Sequence, residues 1–98
     1  MILVTGSVVV RPDCVEEALR LSLEHVRRSR LEPGCRMHSV QVDAEDARRL
    51  VFVEMWDDAA SLRTHFEVPE SGQFVTTLSA LAASPPEIQV YDATPVRV

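Results

Sequence analysis

The chain has 98 residues, 46% of them hydrophobic and 26% charged, a balance that suits one folded domain and excludes a disordered tail. A net charge of -5 argues against a nucleic-acid partner, because phosphate binding depends on a basic surface. The longest apolar runs are strand-sized, which argues against a membrane span.

Residues 2–10 are β-branched and nearly all apolar up to Arg11-Pro12, predicting a first strand covered on both faces. This N-terminal run has neither the basic start nor the small-residue cleavage site of a signal peptide, so a cytoplasmic protein is expected. Asp13 followed by Glu16 has the form of a helix cap with its reciprocal partner. Val15, Ala18, Leu19, Ser22 and Val26 then share a helical stripe, and the helix is expected to reach about Leu31 before Pro33-Gly34 stops it. The basic cluster Arg27, Arg28 and Arg30, beside Glu24 and Glu32, reads as a solvated helix face.

Cys35 to Asp43 alternates like a strand, with Arg36, His38, Val40 and Val42 on one side. Ala44–Arg48 reads as a hairpin connection and Arg49–Trp56 as the strongest strand. That strand has unlike faces: Val51, Val53 and Met55 form an apolar row, whereas Phe52, Glu54 and Trp56 place a carboxylate between two aromatics. Asp57 or Asp58 can cap a short helix to about Glu67, with Leu62 and Phe66 one turn apart. A third helix from Pro69 to about Ala83 carries Phe74, Leu78 and Leu81 on one face, ends at Pro85-Pro86, and precedes a last strand over 87–93. With no repeat or linker, residues 1–98 are expected to form a single domain.

The order β-α-β-β-α-β predicts an α+β, ferredoxin-like split βαβ fold with helices on one sheet face. The other face would leave Val51, Val53 and Met55 in water, so a homodimer joined through the sheet faces is expected, giving a dimeric α/β barrel.

Cys14 and Cys35 are too far apart for a CxxC motif, no histidine spacing matches a metal motif, and the three glycines form no phosphate loop. Neither a metal nor a cofactor is therefore expected, and the cysteines read as reduced structural thiols.

The opening strand into Arg11-Pro12, Glu32-Pro33-Gly34-Cys35, Val53-Glu54-Met55-Trp56-Asp57 with Leu62, His65 and Phe66, and Pro86-Glu87-Ile88 together resemble the antibiotic biosynthesis monooxygenase domain family over nearly the whole chain. The quinol monooxygenase-like branch, with Glu54, Trp56 and His65 in place, is the nearest match. The polyketide oxygenases of the family carry an asparagine where this chain has Phe52, and the haem-degrading members use residues whose places fall near Ser7 and Val75.

That resemblance implies oxidation of a quinol or polyhydroxylated aromatic by dioxygen without a cofactor. His65 or His25 would accept a proton, Glu54 would orient the histidine, and Trp56, Phe52, Phe66 and His38 would line the substrate pocket. Histidine suits proton transfer because its pKa lies near neutrality. Plainer readings stand beside these: Trp56 and Phe66 also suit a core, Glu54 an ion pair, and His65 a backbone contact. A non-catalytic protein that binds a small aromatic metabolite, or an isomerase acting on a small carbonyl compound, would use the same fold.

Overall fold

The computed structural model describes residues 1–98 and is built on a four-stranded antiparallel sheet of order β2-β3-β1-β4. The strands are β1 (Ile2–Val9), β2 (Cys35–Asp43), β3 (Asp46–Trp56) and β4 (Glu87–Asp92); the helices are α1 (Val15–Ser29), α2 (Ala59–Glu67) and α3 (Pro69–Leu81). This is the expected α+β ferredoxin-like order. No helix is long and apolar enough to cross a membrane.

Alternation along the strands decides what meets the helices. Val4 and Val8 of β1 and Leu50, Phe52, Glu54 and Trp56 of β3 are buried on the helix side. One core cluster joins Val8, Leu50 and Phe52 to Ala18 and Val26 of α1 and Leu78 of α3, and a second joins Val4 and Trp56 to Leu62 of α2. The buried stripe of α1 includes Ala18, Ser22 and Ser29, whose small side chains allow close approach. The two serine hydroxyls donate to the carbonyls of Ala18 and His25, so neither is left unpaired.

Several local expectations change. Asp13 does not cap α1: Pro12–Cys14 is a 3-10 turn, and Cys14, which makes no side-chain cap bond, precedes the helix. The helix also ends at Ser29, short of Leu31. The β2–β3 connection shrinks to Ala44-Glu45, because β3 begins at Asp46 and the Asp43 carboxylate accepts from the Glu45 amide. Val42 is exposed despite sharing the side of His38. Strand β1 is covered on its helix side alone within one chain, since Leu3, Val51, Val53 and Met55 on the opposite face remain half-buried. Both cysteines are free thiols.

Candidate active site

Between the helix side of the sheet and the three helices lies a cavity of about 320 Å³. Its lining includes the polar residues His25, His38, Glu54, His65 and Ser71 and the apolar residues Phe52, Phe66, Phe74 and Leu78. Each polar residue arrives from a different element. His25 projects from the buried face of α1, and His38 of β2 lies directly across the ladder from Glu54 of β3. The Asp58 carboxylate accepts from the Ser61 amide and fixes the start of α2, which sets His65 one turn beyond buried Leu62.

The three imidazoles converge. Ring centroids are 5.1 Å apart for His25 and His38, 5.3 Å for His25 and His65, and 5.6 Å for His38 and His65. His25 stacks on Phe74 at 4.0 Å, and His65 leans on Trp56 at 4.7 Å. Arg28 donates to His25 Nδ1 at 2.8 Å. Arg28 thus departs from the expected solvated face, on which Arg27 and Arg30 remain exposed, although Arg30 also donates to the His38 carbonyl at 2.9 Å.

Glu54 does not orient a histidine through a direct hydrogen bond. Its Oε1 accepts from the Trp56 indole at 2.9 Å, while its oxygens stand 3.7 Å from His38 Nε2 and 3.8 Å from His65 Nε2. The orienting carboxylate is Glu32, whose Oε1 lies 2.9 Å from His65 Nδ1. With Nδ1–H donated to Glu32, the neutral ring carries its lone pair on Nε2, on the side of Glu54. Glu32 reaches this place from the turn after α1. Gly34 in that turn has φ of 82°, and a side chain there would collide with Ser61, so only glycine lets the turn close against α2.

Trp56, expected to wall the pocket, is fully buried and contributes no surface to the cavity; it supports Glu54 and His65 from beneath. Phe52, Phe66 and His38 do line the cavity, with Phe66 half-exposed. Glu32 belongs to the Glu-Pro-Gly-Cys signature, but sequence reasoning assigned it no role in the site, and it passed over Arg28 and Ser71 as well.

Burial pushes His25 and His38 down to about 3, with the neighbouring imidazoles and Arg28 or Arg30 adding to the effect. Both rings are therefore neutral at neutral pH. Burial also raises Glu54, against the opposing pull of the Trp56 N–H and His65. His38 Nδ1 and Ser71 Oγ, on two of the lining residues, are buried without a hydrogen-bond partner. The cavity thus joins a polarised imidazole to an aromatic enclosure, a combination fit for taking a proton from a flat, weakly acidic molecule.

A model of the antibiotic biosynthesis monooxygenase family matches residues 1–77. An uncharacterized Synechocystis protein is 38% identical over 90 residues, which span 92% of this chain and 61% of that relative. A solved structure of an antibiotic biosynthesis monooxygenase superposes with a TM-score of 0.89 at 28% identity, covering 97% of this chain and all of that one. A conserved protein of Methanosarcina mazei gives 0.90 at 26% identity, covering 95% of this chain and 92% of its own. A Deinococcus radiodurans protein, provisionally assigned as an antibiotic biosynthesis monooxygenase, gives 0.94 at 21% identity over all of this chain and 97% of its own, a likeness of fold alone.

Proposed function

The chain belongs to the antibiotic biosynthesis monooxygenase family, and from that premise we propose that it oxidises a quinol or polyhydroxylated aromatic with dioxygen, the chemistry being carried by the substrate without a cofactor. The observation that carries the reading is the Glu32–His65 pair: the carboxylate holds Nδ1, and Nε2 is left as a base beside an aromatic-lined cavity. His65 takes the phenolic proton. The electron-rich phenolate passes one electron to dioxygen, the radical pair joins at a ring carbon bearing hydrogen, and the hydroperoxide loses water to leave a carbonyl. A phenol and one O2 thus give a quinone and one water, with every electron supplied by the substrate and no external reductant.

Neutral His25 and His38 offer hydrogen bonds to the remaining oxygens of a polyhydroxylated ring. Phe52, Phe66 and Phe74 suit its faces. The whole of residues 1–98 acts as one domain, and two copies pair through the sheet face that carries Leu3, Val51, Val53 and Met55. A second reading, isomerisation of a small carbonyl compound, draws on the opposition of Glu54 and His65 across 3.8 Å, an acid and a base on one space. Turnover under labelled dioxygen separates the two. Oxidation places one labelled oxygen atom in the product and the other in water; an unlabelled, isomeric product rejects it in favour of isomerisation.

A further inference from the structure

We propose that His25, His38 and His65 also form a binding site for one divalent transition-metal ion of the zinc class, with Glu54 beside the open coordination position. One ring nitrogen from each histidine lies within 4.8 Å of the other two, and all three residues are buried. Nitrogen ligands held about 2.1 Å from a tetrahedral ion stand about 3.4 Å apart. The widest pair therefore closes by at most about 1.4 Å, a displacement that small rotations of two imidazoles supply.

Two further features point to an ion. The Glu32 carboxylate on His65 Nδ1 is the arrangement that fixes a metal-binding histidine with Nε2 forward. The Glu54 oxygens, 3.7 and 3.8 Å from the Nε2 atoms of His38 and His65, can accept from a water on the ion and offset its charge. Imidazole selects zinc, copper, nickel or cobalt over calcium and magnesium, which take oxygen ligands.

Arg28 works against loading. Its guanidinium donates to His25 Nδ1, which leaves the proton of the neutral ring on Nε2. Coordination through Nε2 requires that proton to move to Nδ1 and Arg28 to withdraw. The arginine thus sets the affinity of the site. This inference does not depend on the oxidation reading, and the two states exclude one another, because an ion uses the His65 lone pair that the oxidation needs.

Binding is measured on the full chain after chelator treatment, by calorimetry with Zn²⁺ and by the visible spectrum with Co²⁺. The expected result is one ion per chain, with cobalt d–d bands and no thiolate charge-transfer band. Affinity should fall at least about 10-fold in His25→Gln, His38→Gln and His65→Gln, and rise about 10-fold in Arg28→Met. Absence of binding, a thiolate band from Cys14 or Cys35, or an affinity indifferent to the histidine variants would overturn the assignment. Should a histidine variant fail to fold, the wild-type spectrum and the Arg28→Met affinity decide alone.

Discussion

Glu32 and His65 stand 33 residues apart in sequence and meet at 2.9 Å, carboxylate oxygen to Nδ1. The pair fixes both the tautomer and the direction of the imidazole. Replacing Glu32 by Ala should lower kcat by about 10²-fold, since positioned general bases contribute about 10² to 10⁴. Glu32→Gln, whose amide oxygen can still accept from Nδ1–H, should recover part of that loss. Steady-state kinetics check the split: the fall belongs in kcat, with KM little changed, because Glu32 is not among the residues that line the cavity.

Trp56 gives the opposite pattern. Its indole N–H satisfies a buried Glu54 oxygen, yet the side chain adds nothing to the cavity wall. Trp56→Phe should cost on the order of 1–3 kcal/mol of stability, from the lost partner of a buried carboxylate. Substrate affinity should hardly move. Urea unfolding and a binding titration on the same preparation test both halves.

Stability should fall steeply in mild acid. His25 and His38 have folded-state values depressed from 6.5 to about 3, so the unfolded chain binds their protons first. Their contribution is complete above about pH 6.5 and is lost progressively as pH falls toward 3. Glu54 acts with the opposite sign, because burial raises it above 4.5: its neutral form favours the fold, so its part grows as pH falls through that raised value. Two histidines outweigh one carboxylate over most of the window. Urea midpoints measured from pH 7.5 to 4.5 should decline, with a shallower slope in His25→Gln.

The uncovered sheet face predicts assembly. Val53→Glu places a charge amid Leu3, Val51 and Met55, where a paired sheet would bury it without a partner. Sedimentation velocity should show dimers for the wild type and monomers for the variant. Equal sedimentation of the two would remove the sheet-face dimer.

Much of this arrangement is legible in the sequence because strand alternation is local. The period of two along Phe52, Glu54 and Trp56 separates the helix side of β3 from Val51, Val53 and Met55 without knowledge of any neighbour. Direction is not depth, however. Trp56 points the expected way and still misses the cavity, because Leu62 of α2 packs with it in the core. The Glu32–His65 contact depends on a left-handed turn at Gly34 and on where α2 crosses the sheet, neither of which periodicity encodes. Convergence of the histidines is hidden for the same reason: each sits on an inward face, but on three separate elements. Arg28 was readable in part, since it follows His25 by three residues and so shares its side of α1. Charge alone suggested a solvated face there.

If His65, held by Glu32, drives oxidation of a phenolic substrate by dioxygen, the protein must consume oxygen. The most direct test is oxygen uptake by metal-depleted protein across a panel of quinols and polyhydroxylated aromatics, with His65→Gln run in parallel. Uptake should run well above the uncatalysed rate for at least one substrate and fall about 10²-fold or more in the variant. Uptake at the uncatalysed rate for every substrate, or uptake equal in wild type and variant, would contradict it.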